Sequence, residues 1–209
     1  PLIGDDNYRF DAGNPNNVVS GCVATAMAQI LRYFEWPQAP VGTKYGSCTV
    51  TYDDETLPEP EVTVSGIRLR GGNGNGGKYD WSIMDLNVTG AEDYSHHRMI
   101  GALLFDAGIT VNMAYANDGS GANASAGAYT GNFAYAHARG LNNPDEWRAN
   151  LDARRPMQVS IAPTIGDTGH SIVCDGYGRI DGRWFWHFNM GWGGSADGWY
   201  SLEEHWVGG

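Results

Sequence analysis

The sequence has little basic charge and no long apolar run. Only 13 of its 209 residues are lysine or arginine, against 24 that are aspartate or glutamate, so the net charge at pH 7 is −11. This balance argues against binding to nucleic acid or to an anionic membrane surface, because both partners require a basic face. No apolar stretch approaches the roughly 20 residues that span a bilayer, so we expect no membrane insertion.

Cysteine is also scarce. The three cysteines, Cys22, Cys48 and Cys174, include no CxxC pair, which argues against a disulfide framework and leaves at least one thiol without a partner in the chain. The sequence alone leaves open whether Cys48 and Cys174 are bonded. The chain starts at Pro1, with neither a methionine nor a signal peptide, so we expect a processed product.

The order of helical and strand patterns predicts an α+β fold. Thirty glycines argue against a helix bundle, and the length of 209 residues suits a single domain that spans residues 1–209. Before residue 157, helical patterns dominate, around residues 20–34, 96–107 and 143–151, beside two short strands at 48–52 and 62–64. From Met157 onward the chain predicts strands at 157–162, 170–177, 183–189 and 198–202, with a hairpin turn at Asp181-Gly182.

The rest of the chain is organised around a helix that carries a cysteine in its first turn. Apolar side chains recur at helical spacing in residues 20–34, at Val23, Met27, Ile30 and Phe34. Ser20 is the predicted N-cap. Cys22 then lies at the positive end of the helix dipole, among unpaired backbone N–H groups. That position favours the thiolate, which is the nucleophilic form of cysteine.

A cysteine nucleophile needs a base and a group that orients the base. His170 lies at the start of a predicted strand, and its distance from Cys22 falls in the range of roughly 130–150 residues found in papain-type enzymes. Asn189 lies somewhat beyond that range, at the end of the neighbouring strand. We predict that Asn189 accepts a hydrogen bond from the imidazole of His170, and that an indole from the following Gly- and Trp-containing loop shields this bond.

Several segments between Gly21 and about Leu202 form a recognisable series. They are Gly21–Ala26 with Gln29-Ile30, Tyr79–Trp81, Asp118–Gly121, Gly169–Val173 with Asp175–Tyr177, and His187–Gly194 with Asp197-Gly198. In this order, they resemble the streptopain family of secreted bacterial cysteine peptidases.

This resemblance implies a papain-like fold in which the nucleophile helix packs against a twisted antiparallel sheet. It implies that Cys22 is the nucleophile, that His170 is the general base and then the general acid, and that Asn189 and Trp192 orient and shield His170.

The resemblance also carries expectations about the substrate and about partners. It implies a substrate cleft lined by Gly119, Ser120 and Gly169, and protein or peptide substrates. It further implies an N-terminal propeptide that acts as an autoinhibitor. We expect a secreted monomer that needs neither a metal nor a cofactor.

The sequence departs from the family pattern at two places. Family members usually carry a glutamine before the cysteine, whose amide helps to hold the oxyanion, whereas residues 1–21 contain none and Phe10 stands at its expected place. An asparagine amide from Asn14, Asn16 or Asn17 is the candidate substitute. In addition, Met190 replaces an aromatic residue that the family often has between Asn189 and Gly191.

Three functions are compatible with these residues. The favoured one is an endopeptidase that forms an acyl-enzyme at Cys22. The missing glutamine favours a second, a catalytically weak relative that acts as a binding or immunity protein. A third is a cysteine-dependent acyltransferase or amidase on the same fold, because all of these enzymes share acyl-enzyme chemistry.

Overall fold

The computed structural model describes residues 18–51, 61–85, 93–116, 119–162 and 169–202. The α-helices in these ranges are α1 (Cys22–Phe34), α2 (Tyr94–Thr110), α3 (Ala126–Gly131) and α4 (Pro144–Asp152), and Trp81–Ile83 forms a 3-10 turn. The strands are β1 (Tyr45–Thr51), β2 (Glu61–Arg68), β3 (Ala114–Tyr115), β4 (Met157–Ile161), β5 (His170–Ile180), β6 (Arg183–Asn189) and β7 (Gly198–Tyr200). Among the described residues, no helix combines the length and the apolar character that crossing a membrane requires.

The strands form two sheets. The smaller sheet has the order β2-β1-β3, with β1 antiparallel to β2 and parallel to β3. The larger sheet has the order β4-β5-β6-β7 and is antiparallel throughout, and α1 packs against its β5 strand. The structure therefore confirms the predicted α+β class and the predicted helix-on-sheet arrangement.

Residues 171–174 of β5 are buried on both faces, and they directly follow His170, the first residue of the strand. Val173 belongs to the main core, which α1 shares with α2 and the smaller sheet. Ile172 and Cys174 belong to a second core under α4, where Trp147 and Trp186 meet edge to face. A strand held by apolar contacts from both sides has little freedom to slide or tilt.

The N-cap of α1 is Gly21 and not Ser20, so the Ser20 prediction is wrong. Gly21 adopts a φ of 83°, a conformation that favours glycine. A Cβ at this position would lie 2.8 Å from Met113 Sδ and 3.0 Å from the Ser120 carbonyl oxygen. The hydroxyl of Ser20 lies instead 3.3 Å from that of Thr25 and caps no backbone N–H. Close packing therefore decides how the chain enters α1.

The buried carboxylate of Asp106 fixes the glycine-rich segment after β2 to α2. Asp106 is fully buried and accepts hydrogen bonds from Arg70 N at 2.7 Å, Gly71 N at 2.8 Å and the Tyr79 hydroxyl at 2.5 Å. Burial raises the pKa of Asp106, and the three donors act in the opposite direction. One side chain thus satisfies three polar groups that β2 and its following loop leave unpaired.

We expect Asp106→Ala to lower the free energy of unfolding by about 3 kcal/mol, because three donors lose their acceptor inside the protein. Urea denaturation followed by tryptophan fluorescence measures the change. Asp145→Ala is the control, since Asp145 forms an exposed ion pair with Arg148, and such pairs contribute little. Equal midpoints for the two variants would contradict the structural role of Asp106.

Candidate active site

Cys22 is the first residue of α1 and is partly exposed. The first intrahelical bond runs from Thr25 N to Gly21 O at 3.1 Å, so the preceding N–H groups of the first turn have no intrahelical acceptor. No acidic residue lies in this turn to offset the positive end of the helix dipole. The local field therefore favours a negative charge at the thiol or at an oxyanion beside it.

The imidazole of His170 is held by a backbone carbonyl. His170 Nε2 lies 2.9 Å from the carbonyl oxygen of Met190. A carbonyl oxygen can only accept a hydrogen bond, so Nε2 carries the proton and Nδ1 is the basic nitrogen of the neutral ring. This tautomer leaves Nδ1 as the atom that can take a proton from a thiol.

The indole of Trp192 covers one face of the same imidazole. The two rings stack with their centroids 4.6 Å apart and their planes at 22°. Trp192 itself is 57% exposed, so it stands between the imidazole and solvent rather than in a core. Stacking on one face and a hydrogen bond at Nε2 together restrict both the tilt and the rotation of the ring.

Asn189 supports the site in a different way from the one predicted. Its Oδ1 accepts hydrogen bonds from Gln29 Nε2 at 3.0 Å and from Gly191 N at 2.9 Å. The imidazole of His170 donates to the carbonyl of the next residue, Met190. Asn189 thus contacts the loop that presents this carbonyl and not the imidazole itself, so the prediction of a direct bond to the imidazole is wrong.

Two further contacts hold the same loop in place. Asp197 Oδ1 accepts a hydrogen bond at 2.7 Å from the backbone N–H of Met190, the residue whose carbonyl holds His170. Gly191 has a φ of 75°, and a Cβ on it would lie 3.2 Å from Thr25 Cγ2. The loop therefore lies directly against the first turn of α1, and this brings the surroundings of Cys22 and His170 together.

The predicted cleft residues lie around these elements. The Ser120 carbonyl abuts Gly21, and the Ser120 hydroxyl donates to Val19 O at 2.6 Å. Gly119 is exposed, with open space where a Cβ would lie. Gly169 precedes His170, and a Cβ there would lie 2.7 Å from the Ile161 carbonyl oxygen.

Sequence reasoning missed a glutamine that links the two halves of the site. Gln158 of β4 donates through Nε2 to Val23 O at 3.3 Å and to Ser171 Oγ at 2.8 Å. Val23 follows Cys22, and Ser171 follows His170. A lone glutamine in a strand gives no signal of such a role, since only the fold brings its two partners together.

Other predictions fall outside the described residues or concern metal binding. Phe10 and the candidate oxyanion donors Asn14, Asn16 and Asn17 lie in a segment that the structure does not describe. Within the described ranges, no three His, Cys, Asp or Glu side chains are grouped in a way that could hold a metal ion.

Cys48 and Cys174 differ from Cys22 in their surroundings. All three thiols are free, but Cys48 is 1% exposed and Cys174 fully buried. Burial raises the pKa of Cys48, and burial, more than the nearby charge of Asp175, raises the pKa of Cys174 to about 12. Both are packed in apolar cores, and neither is available as a nucleophile.

Comparison with known proteins adds relatives that cover almost the whole chain. Residues 6–200 match the Peptidase C10 family. The chain is 32% identical over 220 residues to the thiol protease/hemagglutinin PrtT of Porphyromonas gingivalis, and 30% identical over 233 residues to streptopain of Streptococcus pyogenes serotype M1. Both alignments cover 97% of this chain, but the chain spans only 23% of the first relative and 55% of the second.

Two solved structures from Prevotella intermedia share the fold. The active wild-type interpain A cysteine protease matches with a TM-score of 0.67 and 27% identity, over 91% of this chain and 77% of that one. A prointerpain A fragment in which one cysteine is mutated to alanine matches with a TM-score of 0.65 and 26% identity, over 88% of this chain and 57% of that one. The predicted papain-like fold and the predicted resemblance to streptopain are confirmed.

Labelling of the native protein should modify one thiol quickly at neutral pH, because Cys22 is the partly exposed cysteine among three. Mass spectrometry after brief treatment with iodoacetamide should locate the label on Cys22. The same treatment in denaturant should label all three cysteines. Rapid labelling of Cys48 or Cys174 in the native protein would contradict the burial that raises their pKa values.

Proposed function

Because the chain belongs to the peptidase C10 family, we propose that it is a cysteine endopeptidase in which Cys22 is the nucleophile and His170 the base. The cysteine peptidase class follows from this family and from the thiol protease, streptopain and interpain A relatives. The observation that carries the residue assignment is the bond from His170 Nε2 to the Met190 carbonyl. This bond leaves the basic Nδ1 free to accept a proton from a thiol. The first turn of α1, which begins with Cys22, packs against the loop that contains Met190 and Gly191.

The reaction begins when Nδ1 of His170 takes the thiol proton of Cys22. The thiolate then attacks the carbonyl carbon of the scissile peptide bond, and the electron pair of the carbonyl moves to its oxygen. As the C–N bond breaks, the His170 imidazolium gives its proton to the leaving amine. An acyl-enzyme thioester remains on Cys22. Water, deprotonated by His170, hydrolyses this thioester to a carboxylate and restores the thiol.

The oxyanion of each tetrahedral intermediate needs hydrogen-bond donors close to Cys22. The backbone N–H of Cys22 is one candidate, since the first turn of α1 has donors without intrahelical acceptors. An amide from Asn14, Asn16 or Asn17 remains our proposal for the donor that the absent glutamine would provide.

We assign supporting roles to Asn189 and Trp192. Trp192 stacks on the imidazole, which limits access of water to one ring face and favours the productive tilt. Asn189 accepts hydrogen bonds from Gln29 and from the backbone N–H of Gly191, and these bonds fix the position of the Met190 carbonyl. Both residues act on the orientation of His170 rather than on the substrate.

The proposed substrate is an extended segment of a protein or peptide, which passes between Gly119-Ser120 on one side and Gly169 on the other. Small residues on both sides leave room for a peptide backbone. The likeness to a prointerpain A fragment supports regulation by an N-terminal propeptide. The resemblance to secreted peptidases supports a site of action outside the cell.

Hydrolysis of casein should fall by at least about 10³-fold in Cys22→Ser and in His170→Ala, because each change removes one half of the proton-transfer pair. His137→Ala is the control, since His137 is exposed and has no role in the mechanism. A thiol-directed epoxide should abolish the wild-type activity and label Cys22. Casein hydrolysis that persists in Cys22→Ser would overturn the assignment. Labelling of Cys22 without any casein hydrolysis would favour an acyltransferase, an amidase or a binding protein.

We expect Gly119→Trp to raise KM for a peptide substrate about tenfold or more, because an indole placed in the open space at this position narrows the proposed cleft. Gly119→Ala, which adds one methyl group to the same space, should leave KM nearly unchanged. Steady-state kinetics with a fluorogenic peptide compares the two variants. Identical KM values would remove Gly119 from the cleft wall.

A further inference from the structure

Gln158 occupies a junction of three elements. Its side chain, on β4, contacts the first turn of α1 through Val23 O, the start of β5 through Ser171 Oγ, and α3 through the Tyr129 hydroxyl, which donates to Gln158 Oε1 at 2.9 Å. Gln158 is only partly exposed. Val23, its partner on α1, directly follows Cys22, and Ser171, its partner on β5, directly follows His170.

The orientation of this amide follows from its partners. The Val23 carbonyl can only accept a hydrogen bond, so the amide nitrogen must face α1 and the amide oxygen must face Tyr129. Tyr129 is buried, and this burial raises the pKa of its hydroxyl, which therefore keeps its proton and donates. Both N–H groups of the amide thus have acceptors on the two segments that carry Cys22 and His170.

The contacts of Gln158 complement those of Gln29 and Asn189. The Gln29–Asn189 bond connects α1 to the end of β6. The Gln158 bonds connect α1 to β4 and to the start of β5, next to His170. Of these side-chain bonds, those of Gln158 are the ones that reach the start of β5, so they bear most directly on the distance between this strand and the first turn of α1. Proton transfer is sensitive to that distance, since a misplacement of about 1 Å can cost about 10²-fold in rate.

We propose that Gln158 is a positioning residue that sets the separation of Cys22 and His170 by bridging Val23 O and Ser171 Oγ. This inference rests on the proposed function for its effect on peptide hydrolysis. Its effect on the thiol of Cys22 requires no peptidase activity and can be measured separately.

The test compares Gln158→Met with the wild-type protein. Methionine has a similar length and keeps the packing, but it removes the bridging donors. We expect kcat for a fluorogenic peptide to fall about tenfold with KM within about twofold, because the loss affects proton transfer and not substrate binding. We also expect the pH dependence of Cys22 alkylation by iodoacetamide to shift toward that of an unassisted thiol, because His170 no longer lies at the productive distance.

Two further variants separate positioning from other roles. Tyr129→Phe removes only the donor to Gln158 Oε1. It should lower kcat and shift the pH dependence of Cys22 alkylation in the same directions as Gln158→Met, but by less. Gln38→Met is the matched control, because Gln38 is exposed and its Nε2 donates to the nearby Glu35 carbonyl oxygen, away from the site. It should match the wild-type protein in both assays. Thermal unfolding by circular dichroism shows that each variant is folded at the assay temperature.

The outcomes distinguish the inference from the proposed function. An alkylation profile that is unchanged in folded Gln158→Met would overturn the positioning role, whatever happens to peptide hydrolysis. A rise in KM with kcat unchanged would also overturn it and would make Gln158 a substrate contact. If the wild-type protein hydrolyses no peptide but the alkylation profile still shifts in Gln158→Met, the endopeptidase proposal fails and the positioning role stands.

Discussion

The geometry of the site depends on the hydrogen bond between His170 Nε2 and the carbonyl oxygen of Met190. This bond selects the tautomer of the imidazole and directs its basic nitrogen away from the loop. A backbone carbonyl is a neutral acceptor that no side-chain substitution removes. The orientation of the imidazole is therefore set by the conformation of a loop, in which the buried side chain of Met190 packs into the second core. The replacement of an aromatic residue by Met190 is accordingly compatible with an intact site.

The loop in turn depends on contacts that arise far apart in the sequence. The side-chain oxygen of Asn189 accepts hydrogen bonds from the Gln29 amide of α1 and from the backbone N–H of Gly191. A side-chain oxygen of Asp197 accepts a hydrogen bond from the backbone N–H of Met190. Each acceptor is a side-chain oxygen that satisfies a donor at a turn where the strand ladder has ended. The Gln29–Asn189 bond connects α1 to the end of β6, the other two bonds satisfy backbone donors of the loop, and the cores on both faces of β5 support the strand that carries His170.

Most of the fold could be predicted from the sequence, because its elements follow from local periodicity. The hairpin at Asp181 and Gly182 joins β5 to β6, and Asn143 caps α4 with Pro144 at the start of the helix, as their residue types predict. The N-cap of α1 could not be predicted. Serine is the better cap by intrinsic preference, but Met113 and Ser120 leave room for no side chain at Gly21, and that constraint comes from distant parts of the chain.

The sequence provides a hypothesis for the residues of the site, but not for the hydrogen bonds that these residues form. Cys22, His170 and Trp192 have chemistry that a pattern reveals, and the structure brings Trp192 onto His170. The role of Met190 lies in its backbone, which is the same in every residue type, and so it leaves no trace in the sequence. The sequence pattern predicts a hydrogen bond between the Asn189 amide and the imidazole. In the structure, the amide oxygen instead accepts hydrogen bonds from Gln29 and from the backbone N–H of Gly191. The imidazole then needs another acceptor, since a base that is free to rotate would lose its proper orientation. The backbone carbonyl next to Asn189 meets that need, and the hydrogen bonds to Asn189 and Asp197 hold the loop that presents it.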